Sequence, residues 1–218
     1  MSTFLGEVEI PNRATGLAET GAVWQGLEAR HLEDFERVWW PLLKTKRAEL
    51  IDQLKDGIIS KEEFEATFVR LSLQDHHWDW TQKHVFYASD PKNQFFALDA
   101  DNQTQGLMMT AVGQQCRLPN QIGRGLVYIE YLAVAPWNRK HFMNEQKYGH
   151  IGSLLIATAV SQSIDLSYDG SIGLHSLPQA DGFYRYCGME DLGPDPSKQD
   201  MLYFEMGPAR AKDFLERQ

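Results

Sequence analysis

Apolar residues in the first third of the chain recur every three or four positions. The stripe is formed by Leu32, Phe35, Trp39, Leu42 and Leu43. This spacing is typical of the buried face of an amphipathic helix, and Pro41 within it predicts a kink or a restart. Gly57 is placed to end the helix, and Ser60 with Glu63 forms a capping box that opens a second one. The pattern predicts an enlarged helical hairpin within residues 27–80.

The pattern changes near residue 85 to short β-branched and aromatic runs separated by turn residues. Runs typical of strands occupy residues 95–101, 106–112, 126–135, 171–176 and 201–206, and a first strand is placed near residues 5–10. Helical patterns span residues 151–166 and 179–186. Strands on both sides of a central helix predict a mixed α/β fold, and a length of 218 residues favours one domain over residues 1–218.

Charge and composition narrow the classes of function. The chain has 21 Lys and Arg against 30 Asp and Glu, a net charge of −9. This argues against nucleic acid as the main partner, because phosphate binding needs surplus cations, whereas an acidic surface suits a protonated amine. Two cysteines are too few for a disulfide framework or a zinc knuckle. There is no run of ~20 apolar residues to cross a membrane and no signal-peptide pattern at the start, so we expect a cytoplasmic protein without a membrane partner.

The segment from Lys147 to Leu155 has the features of a phosphate-binding helix start. It follows a predicted strand, contains Gly149 and Gly152, and opens the predicted central helix. A helix N-terminus presents unpaired amides and a partial positive charge, which together hold a phosphate, and glycine lets a ligand approach the backbone closely. Glycine before a helix is common, so this segment alone is weak support for a nucleotide ligand.

Five segments, in order, resemble the GCN5-related N-acetyltransferases. They are residues 131–139 (YLAVAPWNR), 147–155 (KYGHIGSLL), 173–178 (GLHSLP), 182–189 (GFYRYCGM) and 201–206 (MLYFEM). The resemblance covers residues 95–207, and the ordered set carries it rather than any one segment. It implies acetyl-CoA as co-substrate without a metal. It also implies a mixed central sheet, flanked by helices, that splays open to admit the pantetheine arm.

The resemblance assigns the coenzyme contacts to two stretches of backbone. The strand residues that would pair with the pantetheine amides are Leu132, Ala133 and Val134. The residues that would hold the diphosphate are Lys147, Tyr148, Gly149, His150, Ile151, Gly152 and Ser153. His150 replaces a glycine that the family usually has, and if that position needs a positive φ we expect Gly149 beside it to absorb the turn. Residues 140–146 are an insertion relative to the family, interpreted as a flap near the coenzyme.

Three side chains are candidates for the chemistry. An amine must lose a proton before it attacks a thioester. Glu130, charged in the middle of an apolar strand, is interpreted either as that base or as a carboxylate paired with a neighbour. Tyr184 matches the tyrosine of the family's Phe-Tyr pair, which makes it either the acid that protonates the leaving thiolate or a core aromatic residue. His175 would bind the coenzyme, relay a proton or cap the following turn.

Two further motifs are explained without a metal. Five residues match positions of a calcium-binding loop, namely Asp52, Asp56, Gly57, Ile59 and Glu63. Leu54 stands where a third ligand is needed, so a helix, its cap and the capping box account for them. The two histidines within residues 75–80 are adjacent and do not face the same way. This segment is interpreted as a packed aromatic turn at the acceptor entrance.

The sequence therefore predicts an N-acetyltransferase that moves an acetyl group from acetyl-CoA to a primary amine of a small molecule or protein. A non-catalytic coenzyme-binding sensor or partner-binding module of the same fold is the alternative. A toxin that acetylates aminoacyl-tRNA shares the fold but fits a net charge of −9 badly. A homodimer is the default expectation for assembly.

Overall fold

Eight strands form one mixed sheet in the computed structural model, which describes residues 2–217. The strands are β1 Thr3–Pro11, β2 Ala18–Gln25, β3 Asn93–Ala100, β4 Gln103–Gln115, β5 Gly125–Val134, β6 Ile172–Ser176, β7 Glu190–Asp195 and β8 Met201–Met206. Their order across the sheet is β1-β2-β3-β4-β5-β6-β8-β7. β5 and β6 run parallel, whereas β1 and β2, β6 and β8, and β7 and β8 are antiparallel. The mixed α/β class predicted from the sequence is confirmed.

Helices flank the sheet and form the N-terminal helical segment. They are α1 Ala29–Asp34, α2 Trp40–Lys55, α3 Lys61–Arg70, α4 Trp80–Tyr87, α5 Ile151–Asp165, α6 Asp181–Tyr186 and α7 Pro208–Leu215. The predicted capping box is present, because the Glu63 amide donates to Ser60 Oγ and the Ser60 amide donates to the Glu63 carboxylate. Gly57 follows α2 with a φ of +68°, as the end of that helix requires. No helix within residues 2–217 is long and apolar enough to cross a bilayer.

A π-helical turn, Phe35–Trp39, joins α1 to α2. Pro41 explains this turn, because it has no amide hydrogen and its ring crowds the carbonyl four residues earlier. The wider turn relieves that crowding while Phe35 and Trp39 stay buried. The kink predicted at Pro41 therefore takes the form of a change in helix type.

Contacts divide the described residues into two compact units, each assembled from separate stretches of chain. The first comprises residues 2–86, 97–106 and 133–151, and the second comprises residues 87–96, 107–132 and 152–217. In the first unit a buried cluster contains Leu43, Leu50, Leu71, Leu73 and Phe142. Phe142 belongs to the insertion 140–146, so its own aromatic side chain anchors that segment in the helical core. In the second unit a buried cluster contains Cys116, Leu126, Tyr128 and Tyr203.

Strand β2 has no clear signal in the sequence. It contains Gly21 at its centre, and glycine disfavours strands. Packing requires this glycine, because a Cβ there would lie 2.9 Å from the Asp99 carbonyl oxygen and would collide with Ile10. β1, placed near residues 5–10 from the sequence, extends over Thr3–Pro11 and pairs with β2.

Candidate active site

Strands β5 and β6 part from one another after a short parallel pairing. The pairs are Val127 with Ile172, Tyr128 with Gly173 and Ile129 with Leu174. β5 continues to Val134 and β6 to Ser176, but among the described residues no further pair joins them. The predicted opening of the sheet is therefore present. Leu132, Ala133 and Val134 lie on the part of β5 beyond the last pair, where a strand offers backbone amides and carbonyls to a ligand.

The loop before α5 is tied to the end of β1. Tyr148 forms an isolated antiparallel bridge with Asn12, and the Gly149 amide donates to the Pro11 carbonyl at 2.9 Å. The Tyr148 amide donates to Asn138 Oδ1 at 3.0 Å. Since the amides of Tyr148 and Gly149 are used within the protein, a phosphate would meet the backbone further along, in the first turn of α5.

The side chain of Tyr148 fixes the same loop. Its ring is buried, and its hydroxyl donates to Glu19 Oε2 at 2.5 Å, while Asn12 Nδ2 donates to Glu19 Oε1. Burial, with the Glu19 hydrogen bond, raises the pKa of Tyr148, and the hydrogen bonds from Tyr148 and Asn12 lower the pKa of Glu19. A neutral phenol on an ionised carboxylate therefore holds the loop against the β1–β2 hairpin.

His150 itself adopts the left-handed conformation, with a φ of +63°, whereas Gly149 does not have a positive φ. The expectation that Gly149 absorbs the turn is therefore wrong. The antiparallel bridge at Tyr148 and the Gly149–Pro11 hydrogen bond hold the chain before His150, so the turn falls on the next residue. Gly149 is needed for a different reason, because a Cβ there would lie 2.9 Å from Arg13 Nε.

Lys147, the predicted phosphate cation, is engaged in an ion pair. Its Nζ lies 2.8 Å from Asp101 Oδ2, and the hydrogen bond and charge of Lys147 lower the pKa of the Asp101 carboxyl. The same ammonium lies 5.0 Å from the centre of the Tyr148 ring. A phosphate would have to compete with Asp101 for it.

Arg13 is a second cation at this loop, and sequence reasoning missed it. Its amide donates to the Lys147 carbonyl at 2.8 Å, and its guanidinium passes beside Gly149. Arg13 is exposed, and within residues 2–217 its side chain has no carboxylate partner. It lies far from Lys147 in sequence, in the β1–β2 connection, so no local pattern could have indicated it. The bridge between Asn12 and Tyr148 brings it to the loop.

The start of α5 is packed closely against α6. A Cβ on Gly152 would lie 2.9 Å from Phe183 Cζ, so glycine lets the Phe183 ring approach the helix. Ser153 is buried, and Cys187 lies within its reach. Burial raises the pKa of the Cys187 thiol to about 12, so this cysteine is a neutral core residue at physiological pH.

Glu130 is half-buried on β5, just beyond the last β5–β6 pair. Its charge acts on two tyrosines of the same strand. The pKa of Tyr128 is raised first by burial and second by the charge of Glu130. Burial also raises the pKa of Tyr131, with a smaller contribution from Glu130. The carboxylate of Glu130 is therefore close enough to both phenols for its charge to disfavour their ionisation.

His175 links Tyr128 to Asp195 within the second unit. The hydroxyl of Tyr128 lies 2.5 Å from His175 Nδ1, and Asp195 Oδ2 lies 3.0 Å from His175 Nε2. Since a carboxylate only accepts, Nε2 carries the hydrogen and Nδ1 of the neutral ring accepts from Tyr128. Burial lowers the pKa of His175, which favours that neutral form. The histidine side chain is only 3% exposed.

Asp195 is the anchor of this arrangement, and sequence reasoning missed it too. Arg117 NH1 lies 2.7 Å from the same Oδ2, and the Arg117 guanidinium lies 4.1 Å from the centre of the Tyr203 ring. Hydrogen bonds from Ser197, Arg117 and His175 hold the pKa of Asp195 well below its usual range. An ionised Asp195 therefore fixes the tautomer of His175.

Tyr184 lies in α6 with its side chain buried. Its ring packs between Phe183, at a centroid distance of 5.2 Å, and Phe204, at 5.8 Å. The Tyr184 ring is therefore part of the aromatic packing of the second unit.

Asp75 and Arg139 form a buried bidentate ion pair in the first unit. Arg139 NH1 and NH2 lie 2.6 and 2.8 Å from the two Asp75 oxygens, and the side chains are only 4% and 6% exposed. NH1 also donates to the Ser72 carbonyl. The start of the segment 75–80 is therefore held in the protein interior by Arg139.

No model of a known protein family and no curated protein matches the chain. Among solved structures, it is similar to the PaiA N-acetyltransferase of Thermoplasma acidophilum in complex with coenzyme A. The identity is 17% and the TM-score 0.47, over 85% of this chain and 98% of that chain.

Two other solved structures are similar. A protein described as a streptothricin acetyltransferase of Bacillus anthracis str. Ames, with acetyl coenzyme A, is 19% identical with a TM-score of 0.41, over 57% of this chain and 68% of that chain. A mutant AtaT toxin bound to the C-terminus of the antitoxin AtaR and acetyl-CoA is 16% identical with a TM-score of 0.42, over 67% of this chain and 83% of that chain. The mixed, helix-flanked sheet that the resemblance implies is present in this structure.

Proposed function

We propose that this chain transfers the acetyl group of acetyl-CoA to a primary amine. The observation that carries the proposal is the parting of β5 from β6 after the pair Ile129–Leu174. The pantetheine arm is an extended chain with amide groups, which pairs with an open strand edge as an added strand would. Leu132, Ala133 and Val134 would supply that edge.

The diphosphate of the coenzyme would lie at the start of α5. Amides in the first turn of a helix lack partners within the helix and, together with the helix dipole, bind phosphate. Ile151, Gly152 and Ser153 begin this helix. The exposed guanidinium of Arg13, beside Gly149, adds a fork of donors that matches phosphate oxygens.

One carboxyl group and one phenol group of the second unit would perform the chemistry. A protonated amine, with a pKa of about 10, would give its proton to Glu130, directly or through water. Its nitrogen would then attack the thioester carbon, so that a C–N bond forms as the C–S bond breaks. The leaving thiolate would take a proton from Tyr184, and the second proton released by the nitrogen as the amide forms would restore the Tyr184 hydroxyl.

His175 would act as a positioning residue. Both of its nitrogens are engaged, by Tyr128 and by Asp195. Side chains two positions apart on a strand share a face, so by holding Tyr128, His175 fixes a neighbour of Glu130. Loss of the His175 side chain should change the pH dependence of the rate, through Glu130, more than it changes the affinity for the coenzyme.

The test is an acetyl-transfer assay with purified protein, acetyl-CoA and a panel of amines, in which release of free thiol is followed. The panel includes a polyamine, an aminoglycoside, an amino acid and a peptide with a free N-terminus. We expect thiol release that depends on the amine. Coenzyme binding in calorimetry without release across the panel would favour the coenzyme-binding sensor, and absence of coenzyme binding would overturn both readings.

Matched variants test the assigned roles. Glu130→Gln and Tyr184→Phe should each lower kcat, by about a hundred-fold or more for the base, while coenzyme affinity changes little. Tyr186→Phe is the control, because Tyr186 lies on the same helix but is exposed. A Tyr184→Phe protein as active as the Tyr186→Phe protein would refute the acid assignment.

A further inference from the structure

A cavity of about 460 Å³ lies in the second unit, beside β7 and the connection between β4 and β5. Its polar side chains belong to Arg117 and Asp195. The remaining walls are mostly apolar, and their side chains are those of Pro119, Leu192, Pro194, Pro196 and Tyr203. Because the proline ring fixes φ, these walls are largely preformed. An apolar cavity with a small number of polar groups suits a small organic ligand.

The carboxylate of Asp195 has no acceptor left for a ligand. Its Oδ1 accepts from the Ser197 amide at 2.9 Å and from the Ser197 hydroxyl at 2.6 Å. Its Oδ2 lies 2.7 Å from Arg117 NH1 and 3.0 Å from His175 Nε2. Two carboxylate oxygens provide about four acceptor sites, and these donors fill them. A ligand ammonium group would therefore find no partner in this carboxylate.

The guanidinium of Arg117, in contrast, has donors to spare. It carries several N–H groups in a fixed fork, and within residues 2–217 the side chain makes its hydrogen bond to Asp195 through NH1 alone. The guanidinium lies 4.1 Å from the centre of the Tyr203 ring, so it stands between two residues of the lining. The Arg117 side chain is 50% exposed. Its remaining N–H groups are therefore accessible to a ligand oxygen.

The other charges near this cavity do not oppose an anion. Glu205 is fully buried, and its oxygens accept from two backbone amides and from the Tyr203 hydroxyl. Lys198 is exposed and, in the described part of the chain, has no carboxylate partner. Burial lowers the pKa of His175, and the charges of Arg117 and Lys198 act in the same direction, so both cations lie near that histidine. The two cations are open to a ligand, whereas the carboxylates are already bonded.

We propose that this cavity binds a small carboxylate that carries an apolar, ring-sized body. The ligand carboxylate accepts from the N–H groups of Arg117 that Asp195 leaves free, and the ring packs on Leu192 and the prolines. A hydrogen bond between a guanidinium and a carboxylate is among the strong ones, and the apolar walls add burial that an inorganic anion cannot use. The site stands whether or not the chain transfers acetyl groups, because neither Glu130 nor Tyr184 belongs to it.

The probe is phenylacetate, compared with three relatives. Phenylacetamide keeps the ring and an oxygen but loses the charge, phenethylamine carries the opposite charge, and acetate lacks the ring. Titration of ¹⁵N-labelled protein at constant ionic strength is followed on the backbone amide signals of Leu192, Gly193 and Asp195, which line the cavity. We expect saturable shifts with a Kd on the order of 1 mM and binding of each relative about ten-fold weaker. Shifts by phenylacetate that do not saturate at roughly ten times that Kd, or equal binding of any relative, would overturn the proposal.

Matched variants locate the site. Arg117→Gln should weaken phenylacetate binding about ten-fold. Arg185→Gln is the control, because Arg185 is also 50% exposed, lies 2.6 Å from an aspartate and 5.3 Å from the centre of an aromatic ring, but is not part of this lining. Leu192→Ala changes an exposed wall residue and should weaken phenylacetate binding about five-fold.

Each variant has a result that contradicts the proposal. Unchanged phenylacetate affinity in Arg117→Gln or in Leu192→Ala would overturn the assignment, and so would an equal loss of affinity in Arg185→Gln. The amide signals outside the cavity report whether each variant is folded.

Discussion

Exchanging Arg13 for glutamine removes a cation beside the α5 loop that, in the described residues, is not paired with a carboxylate. The Arg13 amide still donates to the Lys147 carbonyl at 2.8 Å, because the backbone is unchanged. The loop therefore keeps its position. The perturbation is the loss of a guanidinium from beside Gly149.

The size of the effect is bounded by the exposure of Arg13. Two unit charges ~4 Å apart attract by ~1 kcal/mol in water and by ~4 kcal/mol at an effective dielectric constant of ~20. Arg13 is exposed, so the lower part of this range applies. A loss of ~1.5 kcal/mol corresponds to a roughly ten-fold higher Kd for coenzyme A.

The assay is calorimetric titration of Arg13→Gln with coenzyme A at two salt concentrations. The wild-type affinity should fall more with salt than that of the variant, since an exposed charge pair is screened. Pantetheine, which lacks the diphosphate, should bind both proteins equally. Lys147→Gln is the matched control and should cost less than three-fold, because its ammonium is already shared with Asp101. Unchanged affinity in Arg13→Gln, or a larger loss in Lys147→Gln, would refute the reasoning.

Three further substitutions test the stability of the same regions. His150→Gly should raise the free energy of unfolding by about 0.5 kcal/mol, because relief of the left-handed strain slightly exceeds the added entropy of the unfolded chain. Urea unfolding measures this change. His141 also has a positive φ, +66°, so His141→Gly should shift the free energy of unfolding in the same direction. Burial lowers the pKa of His175, so the unfolded chain takes up this proton first, near pH 6.5, and stability should fall as the pH drops below that value. The difference between urea midpoints at pH 7 and pH 5 should shrink in His175→Gln. Asp75→Ala leaves Arg139 buried and unpaired and should cost at least ~3 kcal/mol in the same measurement.

Each of these has a contradicting result. A destabilised His150→Gly would mean that the histidine side chain makes contacts worth more than the strain. An unchanged pH dependence in His175→Gln would mean that this residue does not control it. For the ion pair, the double change Asp75→Ala with Arg139→Met should be less damaging than Asp75→Ala alone, and equal damage would show that the pairing of charges is not what matters.

Elements with regular periodicity could be predicted closely. The last strand of the prediction, 201–206, is β8 Met201–Met206, and the predicted helix 151–166 is α5 Ile151–Asp165. Their patterns are local, since each residue's burial follows from its place in the repeat. β7 could not be found in the same way, because Gly193 and Pro194 interrupt it and its register shifts before Pro194.

The candidate site was predictable where it is contiguous in the chain. The loop from Lys147 into α5 is one short segment, so its glycines and its helix start are visible in the sequence. Asp195 was not predictable as the partner of His175, because nothing in an aspartate at the end of a strand specifies which buried imidazole it will meet. That pairing depends on β6 and β7 both lying beside β8.

The sequence by itself determined the class of fold, the order of the main elements and the place of the loop that leads into α5, because these depend on local periodicity, caps and glycine. Only the tertiary structure decided which groups of that loop are available. It ties Lys147 to Asp101, uses the amides of Tyr148 and Gly149 in hydrogen bonds, and brings Arg13 beside the loop. Hydrogen bonds and charge pairs act over a few ångströms, so their partners are chosen by folding and not by distance along the chain.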